Sequence, residues 1–187
     1  MPEFVAPMVD ASPDDLLFRR LRAMDLIELE PQESQRTQYG LRVADMGLDE
    51  AEDYAAGPYA WAAVRGERVL ACMGVAETFP GAAGVAWALF AEGPGEDHLA
   101  ITRFARDEVI GKCPLPRIEA VVRCVDIEPL AKGIHDLNPH QMLARAMRAE
   151  HRTPQVRWAL AVGLMPIAVL RKYGAASETH MLLERVL

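Results

Sequence analysis

The stretch YAWAAVRGERVLACMGVAETFPGAAGVAWALFA, residues 59–91, decides the fold class. It holds two apolar runs, 59–64 and 69–76, separated by Arg65-Gly66-Glu67-Arg68, a polar break of turn length that contains a glycine. That pattern reads as a β-hairpin. A third apolar run, 84–91, follows the turn dipeptide Pro80-Gly81, so three antiparallel strands stand in a row. These strands sit between helical segments.

Those helices are marked on either side of the stretch. Downstream, residues 97–110 carry Ile101, Phe104, Ala105 and Val109 at helical spacing, and Gly111 and Pro114 end the pattern. Residues 117–125 (RIEAVVRCV) read as another buried strand. Asn138-Pro139-His140-Gln141 and Thr153-Pro154 each place a capping side chain before a proline, which opens a helix; the second runs to Gly163. Residues 167–171 and 181–186 close the chain as a last pair of strands. Upstream, Asp49 and Glu52 form a capping box for a helix that Gly57 closes, and residues 31–45 read as helical with a break at Gly40. The alternating run 25–30 (DLIELE) predicts a short strand, and Ser12-Pro13-Asp14-Asp15 predicts a helix carrying Leu16, Leu17, Arg20 and Leu21. The expected class is α/β (α+β): a mixed, mostly antiparallel central sheet flanked by helices. An N-terminal arm and helix (1–24) precede the main domain (25–187), which holds an inserted helix within 127–152.

Composition narrows the function. The chain has 187 residues, 51% hydrophobic and 25% charged, which excludes wholesale disorder. Its 20 basic and 27 acidic residues give a net charge of −7, a poor basis for holding a phosphate backbone, so nucleic acid is not an expected partner. No run approaches the roughly 18 apolar residues of a membrane span. Cys72, Cys113 and Cys124 form no CxxC pair and read as small core residues in a reducing compartment. His135, His140 and His151 have no metal-ligand spacing, and no metal site is expected. Residues 1–13 lack the basic start and apolar stretch of a secretory signal, so a cytoplasmic location is expected.

The order of elements resembles the GNAT fold of acyl-CoA-dependent N-acyltransferases over roughly residues 25–187. Two local matches carry the resemblance. Residues 61–75 followed by Val85-Ala-Trp-Ala-Leu-Phe90 are similar to the core of small phage-encoded acetyltransferase-like proteins associated with podovirus head assembly. Val156-Arg-Trp-Ala-Leu-Ala-Val-Gly-Leu164 is similar to the family's late helix, and residues 171–174 and 181–186 to its final hairpin. The resemblance implies that the fourth and fifth strands splay and that acetyl-CoA lies in the wedge, its pyrophosphate wrapped by the loop after the fourth strand. The cofactor-binding residues would be Phe90, Ala91, Gly93, Gly95, Glu96, Asp97 and His98. Gly95 fits the family's central glycine, whereas Glu92 stands where Arg or Gln is usual and Asp97 where Gly or Ala is usual. Three carboxylates, those of Glu92, Glu96 and Asp97, would then face an anionic ligand, at about 1 kcal/mol of repulsion each near 6 Å. Alternatively, Asp97 caps its own helix and the loop is a plain turn.

The family's general-acid Tyr is missing: its position in the late helix is Ala159. Tyr173 or Cys124 would have to substitute, with Glu77 or Glu119 as general base. Two functions therefore compete. One is a phage-type N-acetyltransferase acting on an unidentified amine. The other is a catalytically degenerate GNAT-fold assembly protein of a virion. In either case the apolar arm 1–13 and the Met142, Leu143, Ala146 and Met147 face of helix 138–150 are expected to meet a second copy or a virion neighbour.

Overall fold

The computed structural model describes residues 15–38, 46–126, 138–174 and 176–187. The long hairpin forms as its sequence dictates: β2 (Tyr59–Arg65) and β3 (Arg68–Phe79) pair antiparallel around Gly66, whose φ of 59° suits the turn. Strand β4 (Ala83–Phe90) adds antiparallel to β3. Strand β5 (Arg117–Arg123) joins β4 in parallel, and β6 (Met165–Leu170) and β7 (His180–Val186) complete the far side. With β1 (Leu16–Arg20) at the other edge, the seven strands run β1-β2-β3-β4-β5-β7-β6. The β4–β5 pair is the parallel one in a sheet otherwise antiparallel. The expected class is confirmed.

Two expectations at the N-terminal end are corrected. Leu16, Leu17 and Arg20, expected in a helix, lie in β1, and the sheet begins ahead of residue 25. The pairing of Leu16 with Arg65 through Arg20 with Trp61 outweighs the helix-start signal at Ser12–Asp15. In that register Leu16 and Phe18 turn inward, and the Phe18 ring stacks on Phe104 at 4.0 Å. Residues 25–30, expected as a strand, mostly form α1 (Ala23–Glu28). Leu26 and Leu29, three apart, are both buried, and Asp25 accepts hydrogen bonds from Arg22 N (2.8 Å) and from Arg19 (2.6 and 2.7 Å).

Helices cover both faces. On one, α1 and α3 (Leu48–Ala56) pack over a core of Leu21, Leu26, Leu29, Ala62 and Cys72. The expected Asp49 box is not the cap: Gly47 holds the N-cap position of α3, one residue ahead of its start. The other face holds the larger core, under α4 (Asp97–Phe104), its π-helical continuation Ala105–Ile110, and α6 (Pro154–Ala161). Short α2 (Glu33–Gln38) lies beside the end of β4. The caps of α5 (Pro139–Ala146) and α6 form as expected: Asn138 accepts from Gln141 N at 2.9 Å and Thr153 from Val156 N at 3.2 Å.

The α5 face expected to meet a partner is partly covered within the domain. Met142, Leu143 and Met147 pack on the main core and Ala146 is fully buried, because α5 lies against β6. The arm 1–13 and the first part of the insertion, 127–137, lie outside the described residues. Among the described residues, no helix is long and apolar enough to cross a membrane.

Candidate functional site

Strands β4 and β5 stay together for three positions only, Ala83 with Arg117, Gly84 with Ile118 and Val85 with Glu119. Beyond Val85 they part. The gap is a cleft of about 850 Å³ including its open mouth, walled by Met73, Ala88 and Phe90 on one side and Val121, Ile110 and Ala159 on the others. The π-helical turn supplies Ala105, Val109 and Ile110 to this wall, and π-turns recur at functional sites. The lining is mainly apolar. Gln32, Gln35, His98 and Gln155 are its polar side chains besides the Trp87 and Trp158 indoles, and among the described residues His98 alone in the lining is titratable.

The mouth is built by the loop from β4 to α4. Gly93 and Gly95 both sit at positive φ, 59° and 58°, which gives the chain two left-handed steps before the helix begins. Pro94 between them has no N–H, and Asp97 N and His98 N donate within the loop to Pro94 O (3.1 Å) and Gly95 O (3.4 Å), so Gly93, Gly95 and Glu96 supply the N–H groups that could meet an anion. Two of the loop's three carboxylates are held elsewhere. Asp97 does not cap its helix: Glu96 holds the N-cap position without a side-chain cap, and Asp97 forms an ion pair with Arg65, whose Nε donates at 2.9 Å. Glu92 Oε1 accepts from Glu33 N at 2.9 Å, while Arg68 donates to Glu92 O at 2.6 Å. Glu96 remains exposed. Arg65 thereby offsets one of the three carboxylates, that of Asp97, while Glu92 and Glu96 stay exposed, and the capping alternative for Asp97 is corrected.

Across the mouth, α4 and α6 are tied together. Trp158 Nε1 donates to Thr102 Oγ1 at 3.1 Å, and that hydroxyl donates to His98 O at 2.7 Å. The Phe90 ring meets Trp158 edge-on at 5.2 Å and stacks with His98 at 5.5 Å.

Of the residues expected to bind cofactor, Phe90 and His98 line the cleft, while Ala91, Gly93, Gly95, Glu96 and Asp97 lie in the segment between them and outside its lining. The acid–base candidates are scattered. Glu77 is exposed and accepts from Gly81 N (3.1 Å) in the β3–β4 turn. Glu119 sits at the last paired position of β5, in an ion pair with Arg117 at 2.7 Å. Tyr173 is 60% exposed and leans on the His180 ring. None of the three lines the cleft. Cys124 is buried, its Sγ 3.5 Å from Val125 O. Ala159, the position of the missing Tyr, does line it. Sequence reasoning missed Gln32, Gln35 and Gln155, whose only signal was polarity within or beside helical segments.

No family model matches the sequence, and no curated protein matches it. Solved structures do match. An aminoglycoside 6'-N-acetyltransferase complexed with coenzyme A superposes with a TM-score of 0.62 at 12% identity, over 91% of this chain and 96% of that one. A GNAT-family acetyltransferase from Bacillus anthracis gives 0.55 at 11%, over 91% and 94%. Ard1 from Thermoplasma volcanium gives 0.55 at 12%, over 92% and 97%. At such identities what is shared is the fold, and the chain adopts the fold of GNAT acetyltransferases.

Proposed function

We propose that the chain holds acetyl-CoA in the β4–β5 cleft and transfers its acetyl group to an amine. The observation that carries this reading is the parting of β4 from β5 after Val85, which opens an apolar slot ending at a two-glycine turn and a helix N-terminus. The fit to such a ligand is good. A slender arm bearing amides suits a slot with a strand edge along it, and a pyrophosphate suits a glycine turn at a helix N-terminus, where Gly93, Gly95 and Glu96 offer N–H groups. When bound, acetyl-CoA would supply the activated thioester. Gly93 to His98 would hold the phosphates, with Arg65 keeping the Asp97 charge away from them. Met73, Phe90 and Val121 would exclude water from the arm. Glu119, at the vertex of the wedge, is the proposed general base in preference to Glu77, whose carboxylate is engaged by Gly81 N in the β3–β4 turn.

The second reading is a binder without transfer, such as a virion assembly protein whose arm 1–13 contacts a neighbouring copy or a virion protein. It is favoured by Ala159 in place of the family's Tyr and by a lining with no carboxylate among the described residues. One titration separates the readings. At 100 times its dissociation constant acetyl-CoA stabilises the folded state by about 2.7 kcal/mol, which raises the melting temperature by about 5–10 °C. No shift at millimolar ligand removes the first reading. A shift without amine-dependent thiol release selects the second, whereas release that is lost in Glu119→Gln supports the first.

A further inference from the structure

We infer that Gln35 is a built-in stand-in for the ligand's own amide, so that the segment 31–35 must leave β4 before an acyl-CoA arm can lie in the cleft. This rests on the reading of the cleft just given. The register of β4 sets the problem. Ala91 N donates to Leu70 O on β3 at 2.9 Å, so the alternate residues Phe90 and Ala88 turn their backbone groups to the opposite edge. That edge lost its neighbour when β5 departed. An apolar cleft offers bare N–H and C=O groups no partner, and such groups are rarely left unmade.

Segment 31–35 supplies the partner. Phe90 N donates to Gln35 Oε1 at 2.7 Å, and Gln35 Nε2 donates to Ala88 O at 3.1 Å. Gln32 N donates to Phe90 O at 2.9 Å, its side chain donates to Ala91 O at 3.1 Å, and Pro31 forms a bridge with Ala91. A carboxamide carries the same donor and acceptor pair as a peptide group, so Gln35 plays the part of an absent strand. A secondary amide in an extended ligand arm needs the same two groups. Phe90 has one N–H, and Gln35 and the ligand cannot both take it. The segment's hydrogen bonds hold it on β4, with Gln35 buried against the strand and Glu33 and Ser34 beside it exposed, so its departure means exchanging those bonds for the ligand's.

Ligand affinity is then reduced by the fraction of molecules in which the segment is open. The experiment is calorimetric titration of the full chain with coenzyme A, as wild type and as Gln35→Ala. The expected result is about tenfold tighter binding by the variant. A second readout uses the wild type alone: the Gln35 side-chain amide signals in a ¹⁵N spectrum, identified by their loss in the variant, shift to solvent-exposed positions as coenzyme A is added. Equal or weaker binding by Gln35→Ala, or amide signals that stay in place on saturation, overturns the inference and leaves acyl-CoA binding intact. Binding by neither protein overturns both.

Discussion

Asp97 would weaken any phosphate site at the mouth of the cleft if Arg65 did not hold it. The carboxylate is largely enclosed, its side chain 13% exposed, while the guanidinium is 38% exposed at the end of β2. Removing the guanidinium leaves a poorly solvated charge beside the glycine turn, and buried unpaired charges act strongly on nearby anions. Arg65→Gln is therefore expected to weaken coenzyme A binding about tenfold. The double variant Arg65→Gln/Asp97→Asn should recover most of the loss, because it removes the orphaned charge as well. A calorimetric double-mutant cycle measures this, and a double variant no better than the single one would place Asp97 off the ligand's path. The residue scale is also where the sequence was least legible. The glycines of the turn could be read because positive φ favours one residue type. The fates of the Glu92, Asp97 and Gln35 side chains depend on Glu33, Arg65 and Phe90, partners 32 to 59 residues away in the chain.

Elements were legible where their signals are local. The caps of α5 and α6 form from Asn138 and Thr153 because a short polar side chain three residues before an N–H needs nothing else. The hairpin β2–β3 forms around a turn its own residues specify. Strand β1 was misread because its evidence lies in β2, some 40 residues on, and α1 because Asp25 is fixed by Arg19 rather than by its neighbours alone. The wedge depends on one element junction, Gly84, at the middle of the three-position β4–β5 pairing. A Cβ there would lie 2.7 Å from Val75 Cγ1, 2.8 Å from Leu115 Cδ1 and 2.9 Å from Ala76 O. Gly84→Ala would push β4, β5 and the Leu115 loop apart, and overpacking of this sort costs about 1–3 kcal/mol. The urea midpoint should fall with little change in slope. An unchanged midpoint would show that the vertex yields without strain and is not what fixes the splay.

At the scale of the whole molecule, one sheet separates two cores, and each contains thiols that report on it. Cys72 lies in the core under α1 and α3, where burial pushes its thiol pKa far up, an effect only partly offset by Arg19. Cys113 and Cys124 lie in the larger core under α4 and α6. All three are buried and outside any disulfide, so none reacts until its surroundings open. The smaller core is closed by a six-residue α1 and a nine-residue α3, short helices with little apolar area. Yet its inner wall, Ala62, Val69, Cys72 and Leu89, belongs to the same β2, β3 and β4 strands that support the larger core. The smaller core cannot lose that wall without the sheet. The whole molecule is therefore expected to open as one unit, and thiol labelling under native conditions should modify Cys72, Cys113 and Cys124 with a common opening free energy. Peptide mapping after timed labelling reads the three separately. Adding acetyl-CoA should slow all three together if the cleft binds it, since ligand held by the folded state lowers the population of every open form. Cys72 reacting well before the other two would show that the α1–α3 layer lifts off on its own, and the two faces would then have to be treated as separate cooperative units.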